Sequence, residues 1–212
     1  MFQKFYPREY IDSTYSIDFE TYYKAGFRGI IFDIDNTLVP HGADADERAI
    51  ALLDRLRSIG FEICLLSNNK KARVERFNRD VNVKYIFKAG KPASKNYYVA
   101  AIMMRTSLES TMCVGDQIFT DIYGANTSGI YTILVKPIEK RDILQVKLKR
   151  KLEKIVLFFY KKRNRKSLKL ESRATGLKPE RRLTRMKAKK KLAALRERKR
   201  YKLGGSYERG RV

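Results

Sequence analysis

Short apolar runs rich in β-branched and aromatic residues alternate with helical patterns from residue 28 onward. The runs are nearly continuous rather than alternating, which is typical of parallel strands covered by helices on both faces. Five strands are predicted: Gly29–Phe32, Phe61–Leu66, Tyr85–Phe87, Thr111–Val114 and Tyr131–Val135. This order predicts an α/β fold with one doubly wound, Rossmann-like parallel sheet.

Apolar residues at helical spacing fill the intervals between these strands. They mark one helix by Ala49, Leu52, Leu53, Leu56 and Ile59, a second by Val74 and Phe77, and a third by Tyr98, Ala101, Ile102 and Arg105. Asp44 or Asp46 is the expected N-cap of the first helix. Residues 17–25 are an expected lead-in helix.

The pattern changes after Pro137. One helical face carries Leu144, Leu148, Leu152, Ile155, Val156 and Phe159, and the other carries Lys147, Lys149, Arg150, Lys151 and Lys154. We therefore expect three regions: an α/β domain over residues 1–145, a basic amphipathic helix over 146–163, and a basic tail over 164–212. Low apolar content favours a disordered tail or a lone helix.

Charge divides the chain at the same place. Of 212 residues, 47 are basic and 23 acidic, a net charge of +24. Residues 1–145 hold 20 basic and 18 acidic residues, whereas 146–212 hold 27 and five. A near-neutral domain thus carries a basic region suited to anionic lipid or nucleic acid.

Other features exclude several classes of protein. Two cysteines, Cys64 and Cys113, leave no room for a disulfide framework or disulfide partner and favour a reducing compartment. No apolar stretch approaches the ~20 residues of a membrane-spanning helix, and Met1–Tyr10 does not resemble a signal peptide. We expect a cytoplasmic protein, with peripheral association at the inner membrane face left open.

Polar residues with reactive side chains follow four predicted strands. They are Asp33 and Asp35 after the first, Ser67, Asn68 and Asn69 after the second, Lys91 after the third, and Asp116 and Asp121 after the fourth. Carboxyl ends of parallel strands share one edge, where open α/β sheets bind ligands. Packing does not explain this convergence, so the sequence predicts a site there.

Four motifs stand in order along the chain: Asp33-Ile34-Asp35-Asn36-Thr37, Ser67-Asn68-Asn69, Gly90-Lys91-Pro92 and Gly115 to Asp121. With its DxDxT pattern, the chain resembles the haloacid dehalogenase (HAD) superfamily. More narrowly, it resembles the YqeG-type branch of class IIIA, which includes the mitochondrial phosphatidylglycerophosphate phosphatases. The resemblance implies an HAD-like fold and a phosphoric monoester hydrolase.

The chemistry of the residues agrees with this resemblance. Asp33 can attack phosphorus to form an aspartyl-phosphate, and Asp35 can act as general acid and then general base. Lys91 places a positive charge on the transferring group. Thr37 and Ser67 offer hydroxyls to phosphoryl oxygens, with main-chain amides near Asn36 and Asn68 as further donors.

The resemblance also implies a Mg²⁺ cofactor held by the carboxylates of Asp33 and Asp116 and the main-chain carbonyl of Asp35. Asp121 is expected to support the site by orienting Lys91 or a metal-bound water. For Asn69, substrate contact and loop support both stay open. His41, the single histidine, is expected in a surface or loop role.

The motif spacing leaves no room for a cap domain. About a dozen residues separate Thr37 from the helix near Ala49, and 23 lie between Ser67 and Lys91. An open site could accept a phosphate presented by something large. Together with the basic amphipathic helix, this favours an anionic phospholipid at a membrane surface, with phosphatidylglycerophosphate as the family-suggested substrate.

Alternative functions stay open at this point. The substrate could be a soluble sugar or nucleotide phosphate, or the basic tail could make this an RNA- or ribosome-associated HAD-fold binding protein. A receiver-like phosphoacceptor module also uses clustered aspartates with Ser/Thr and Lys. It is disfavoured because receivers need no acid two residues after the nucleophile, the position of Asp35.

Overall fold

A computed structural model describes residues 3–139 and 152–164 of the chain. The strands are β1 (Glu9–Ile11), β2 (Gly29–Phe32), β3 (Glu62–Leu66), β4 (Lys84–Ile86), β5 (Thr111–Gly115) and β6 (Tyr131–Val135). The helices are α1 (Phe19–Lys24), α2 (Glu47–Ile59), α3 (Lys71–Val81), α4 (Lys95–Met103), α5 (Tyr123–Thr127) and α6 (152–164). Predictions that fall on residues 140–151 and 165–212 lie outside the described residues.

The six strands form one parallel sheet in the order β1-β6-β5-β2-β3-β4. The chain runs from β2 outward to β4 and then crosses to β5 on the other side of β2. Strand order therefore reverses between β2 and β5, where doubly wound sheets open a ligand crevice. The predicted α/β fold and its five strands are confirmed.

Alternate residues of the central strands pack into two hydrophobic clusters, one on each face of the sheet. Ile30 and Phe32 pack with α1, α2 and α3, whereas Ile31 and Cys64 pack with α4 and α5. Burial on both faces explains why these strands are apolar without alternation. Cys64 and Cys113 are both buried and unbridged, as expected.

Asp46 caps α2, because its Oδ1 accepts a hydrogen bond of 2.7 Å from the main-chain nitrogen of Ala49. Residues 33–46 connect β2 to α2 through turns and one isolated bridge, and residues 67–91 add only α3 and β4. Neither described segment contains a cap domain, in agreement with the prediction from spacing.

Two details differ from the sequence prediction. The edge strand β1 was not expected, because it has three half-buried residues and no apolar run. On α4 the buried residues are Tyr97, Ala100 and Ala101, whereas Tyr98 and Ile102 are exposed. The helix is apolar on every side, so periodicity did not identify its buried face.

The chain divides into two compact units, Met1–Phe158 and Phe159–Val212, and the described part of the second unit is helical. In the first unit, Val156 of α6 packs with Ile118, Ile122 and Leu134, whereas Leu152 and Ile155 are exposed. The described helices include none with the length and apolar character needed to cross a membrane.

Candidate active site

Asp33, Lys91 and Asp121 form a buried chain of charges at the carboxyl ends of the strands. Lys91 Nζ lies 2.6 Å from Asp33 Oδ1 and 2.7 Å from Asp121 Oδ1. Asp33 follows β2 directly, Lys91 follows β4, and Asp121 lies in the turn after β5. Three strand ends thus bring their charged side chains together beside the reversal of strand order.

Burial changes the proton affinities of this group. It raises the pKa of the Asp33 carboxyl to about 7, although Lys91 opposes the rise and Asp121 adds to it. Burial alone would lower the pKa of Lys91, but Asp121 and Asp33 outweigh it and raise that pKa above its usual value. Lys91 is therefore charged, and a further cation near Asp33 would favour the ionised carboxylate.

Asp116 completes a cluster of three buried carboxylates. One ligand oxygen from each of Asp33, Asp116 and Asp121 lies within 4.8 Å of the others. Thr37 Oγ1 donates a hydrogen bond of 3.4 Å to Asp116 Oδ1. Closely spaced carboxylate oxygens are the donors that Mg²⁺ prefers, so this cluster fits the cation that the sequence implies.

Gly115 and Tyr97, for which the sequence predicts no role, allow Asp121 to reach this cluster. Gly115 has no side chain where a Cβ atom would lie 2.5 Å from Asp121 Cβ. The Tyr97 hydroxyl donates to the main-chain oxygen of Thr120 at 3.0 Å. The main-chain nitrogen of Gln117 donates to Asp121 Oδ2 at 3.0 Å, so the acid is fixed from both sides.

In the segment after β3, the side chain of Asn68 forms two hydrogen bonds with the main chain of Lys91. Asn68 Oδ1 accepts a hydrogen bond of 2.7 Å from the Lys91 nitrogen, and Asn68 Nδ2 donates to the Lys91 oxygen at 3.1 Å. Ser67 Oγ accepts from the main-chain nitrogen of Asn69 at 3.1 Å. The side chain of Asn68 therefore holds the Lys91 loop in place.

Hydrogen-bond donors from three segments hold the Asp35 carboxylate. Its Oδ1 accepts from the Gly42 nitrogen at 2.7 Å and from Arg73 Nη2 at 3.0 Å. Its Oδ2 accepts from Asn69 Nδ2 at 2.5 Å. His41 Nδ1 lies 3.9 Å from Asp35 Oδ1 and is half-exposed. Asn69 thus supports Asp35, and His41 sits at the edge of the site.

The structure brings the sequence-predicted residues to one edge of the sheet: Asp33, Asp35, Thr37, Ser67, Asn68, Asn69, Lys91, Asp116 and Asp121. The sequence predicts no role for Arg73, Gly115 or Glu153, although Gly115 begins the fourth motif. Arg73 is one of several basic residues of α3, so its sequence context does not distinguish it. Glu153 carried a signal, because it is the single acidic residue between positions 143 and 170.

Comparison with known proteins gives the same family. A family model described as HAD-hydrolase-like matches residues 88–142. The chain is 32% identical over 165 residues to "Probable phosphatase YqeG" of Bacillus subtilis strain 168, covering 77% of this chain and 96% of that protein. It is 27% identical over 164 residues to the chloroplastic/mitochondrial Phosphatidylglycerophosphate phosphatase 1 of Arabidopsis thaliana, covering 72% of this chain but 46% of that protein.

Solved structures include a similar chain. A haloacid dehalogenase-like family hydrolase from Xanthomonas campestris aligns with a TM-score of 0.37 at 10% identity. The alignment covers 60% of this chain and 94% of that one.

Proposed function

The chain belongs to the YqeG family of HAD-like phosphatases, and we propose that it hydrolyses phosphate monoesters through an aspartyl-phosphate on Asp33. One observation carries the proposal: Asp33 Oδ1 lies 2.6 Å from Lys91 Nζ within a cluster of three buried carboxylates. A nucleophilic carboxylate beside a fixed cation is what attack on a phosphate dianion requires.

The reaction has two steps that use the same residues. Asp33 attacks phosphorus while the bond from phosphorus to the leaving oxygen breaks, and Asp35 gives that oxygen a proton. Water then attacks phosphorus and gives a proton to Asp35, and the bond to Asp33 breaks to release inorganic phosphate. Lys91 offsets negative charge on the transferring group, and Thr37 and Ser67 donate hydrogen bonds to it.

The acidic cluster supports a Mg²⁺ cofactor. The carboxylates of Asp33 and Asp116 and the main-chain carbonyl of Asp35 would hold the ion. When bound, Mg²⁺ would supply positive charge that offsets the repulsion of the Asp33 carboxylate and the phosphate oxygens. Asp121 already accepts hydrogen bonds from Lys91 and from the Gln117 nitrogen, which suits it to a supporting role.

Phosphate release from nitrophenyl phosphate, with Mg²⁺ and with EDTA, tests the reaction. We expect Mg²⁺-dependent release by the wild type and none by Asp33→Asn. Asp35→Asn should instead accumulate an adduct of one phosphoryl group, visible by intact mass after acid quench, because water activation is lost while the nucleophile remains. Equal rates for the wild type and Asp33→Asn would exclude the covalent route.

For the substrate, we propose an anionic phospholipid whose headgroup ends in a phosphate monoester, with phosphatidylglycerophosphate as the candidate, hydrolysed at the inner membrane face. The site has no cap in the described segments, so a phosphate on a large surface can reach it. The exposed apolar residues Leu152 and Ile155 and the excess of basic residues after position 145 suit an anionic bilayer. A relative of this chain is named for that lipid.

A product assay should compare phosphatidylglycerophosphate with sugar phosphates, nucleotides and other small esters. We expect the lipid to have the highest kcat/KM when presented in anionic vesicles. Leu152→Asp with Ile155→Asp should reduce vesicle co-sedimentation and lipid hydrolysis, but not hydrolysis of nitrophenyl phosphate. Preference for a sugar phosphate or nucleotide would contradict the lipid assignment, and binding to RNA but not to vesicles would favour a nucleic-acid role for the basic region.

A further inference from the structure

The Asp35 carboxylate is largely buried, and it is held from several sides at once. Three donors reach it from separate segments: the Gly42 nitrogen from the loop after β2, Asn69 Nδ2 from the loop after β3, and Arg73 Nη2 from α3. Both carboxylate oxygens are engaged. These contacts come from outside the motif of residues 33–37, and they restrict rotation of the Asp35 side chain.

Among these donors, Arg73 is the farthest from Asp35 along the chain. Its Nη2 donates to Asp35 Oδ1 at 3.0 Å and also to the main-chain oxygen of Ala43 at 2.7 Å. Val74 and Phe77, which are buried in the core, anchor the helix that carries it. One nitrogen of a rigid planar group thus ties Asp35 and its neighbouring loop to α3.

The arrangement of Arg73 is poorly explained by stability. Its side chain is 12% exposed, and its Nε and Nη1 atoms are buried with no hydrogen-bond partner in the described part of the chain. Unpaired buried donors destabilise a fold. The residue also lies in the first turn of α3, where positive charge opposes the helix dipole. Its hydrogen bonds to the Asp35 carboxylate and to the Ala43 oxygen account for its position.

We propose that Arg73 is a positioning residue for general acid–base catalysis, which holds the Asp35 carboxyl where it exchanges a proton with the leaving oxygen and then with water. The inference rests on the proposed function and deepens it. The described segments 33–46 and 67–91 contain no cap, and α3 is the helix that supplies a side-chain donor to this acid. Proton transfer depends steeply on geometry, so loss of the guanidinium should weaken it.

Leaving-group dependence separates this role from a general structural one. Phenolate needs a proton to leave, whereas dinitrophenolate leaves without one. For Arg73→Met we expect kcat/KM on phenyl phosphate to fall roughly tenfold to a hundredfold more than on dinitrophenyl phosphate. Arg73→Lys keeps the charge and should recover part of the loss. Because both esters are measured on the same sample, the ratio does not depend on the fraction of folded protein.

Arg76 provides a matched control one turn further along α3. It is exposed and contacts Asp44 and the Gly42 oxygen of the same loop without touching Asp35. Arg76→Met should leave the ratio between the two esters unchanged. In an Asp35→Asn background, where one phosphoryl transfer is followed as a single turnover, Arg73→Met should add no further selective loss, because the group that it positions is already absent.

Several outcomes would overturn the inference. Equal losses on both esters, or a selective loss that persists in the Asp35→Asn background, would show that Arg73 does not act through Asp35. Should Arg73→Met fail to fold, as judged by its thermal unfolding, Arg73→Lys decides on the same ratio. A wild-type protein that hydrolyses neither ester would instead refute the proposed function.

Discussion

Gly115 lies so close to Asp121 that the position has no room for a side chain. A methyl group at this position would lie 2.5 Å from Cβ, Cγ and Oδ2 of Asp121, and Cβ cannot move aside by side-chain rotation. Asp121 is in turn one of the two acids that hold Lys91. Even a methyl group at residue 115 should therefore displace Asp121. The Lys91 ammonium group, which contacts both Asp121 and the Asp33 carboxylate, should move with it.

Gly115→Ala is expected to destabilise the protein by about 1–3 kcal/mol, the usual range for an overpacked position. Mg²⁺-dependent phosphate release should fall more than the folded fraction does. Chemical denaturation and steady-state kinetics measure the two effects. Gly129→Ala is a control for backbone strain without a clash: its φ of +80° should cost stability, but with no atom within 4 Å of the Cβ position it should cause no additional loss of activity. Wild-type activity in Gly115→Ala would refute the role of this contact.

The thiols of Cys64 and Cys113 are buried, and this burial predicts how their labelling and their contribution to stability depend on pH. Burial raises the pKa of Cys64 to about 12 and that of Cys113 well above its usual value. Both thiols should therefore stay protonated at pH 8, and iodoacetamide should label unfolded but not folded protein. Since the unfolded thiols ionise first, their contribution to stability should decline as the pH rises above about 9. Rapid labelling of native protein would contradict this burial.

At the scale of elements, the turn after β5 is completed from outside its own motif. Residues Ile118–Ile122 form a short π-helical turn that carries Asp121, and its N-cap Gln117 makes no side-chain capping bond. Glu153 of α6, which is 5% exposed, supplies an acceptor instead. Its Oε1 accepts a hydrogen bond of 2.7 Å from the main-chain nitrogen of Ile118. Helix α6 thus supports the turn that carries Asp121, which in turn holds Lys91.

Glu153→Ala should lower the free energy of unfolding by about 1–2 kcal/mol, because the buried Ile118 N–H loses its acceptor. Glu153→Gln keeps an acceptor oxygen and should be milder. Lys154→Ala, at the adjacent exposed position, is the control and is expected to change stability by less than about 0.5 kcal/mol. Urea denaturation measures all three. Equal stability of the alanine variants at 153 and 154 would show that the bond contributes nothing.

The central strands could be predicted because burial on both faces requires a nearly continuous run of apolar residues, as in Gly29–Phe32 and Tyr131–Val135. The motif aspartates could be placed because carboxyl ends of parallel strands share one edge. Arg73 and Gly115 could not, since their importance depends on contacts 38 residues and six residues away from them along the chain. Such contacts follow from packing of α3 and the turn after β5, and local pattern does not encode them.

At the scale of the whole molecule, charge and chemistry occupy different parts of the chain. The proposed catalytic residues lie between positions 33 and 121, and described contacts from the C-terminal side include the hydrogen bond that Glu153 accepts from Ile118. Residues 165–212 contain 19 basic and four acidic residues, a net charge of +15. This distribution suits a region that determines which surface the enzyme binds, without contributing groups to the reaction.

Removal of residues 165–212 should therefore leave kcat/KM for nitrophenyl phosphate unchanged and weaken binding to anionic vesicles. Each basic residue near an anionic surface contributes about 1 kcal/mol, and this attraction is screened by salt. Co-sedimentation across a salt series should show a steep salt dependence for the full chain, a shallower one for the truncated chain, and little binding of either to neutral vesicles. Loss of nitrophenyl phosphate hydrolysis on truncation would show instead that the basic region contributes to catalysis.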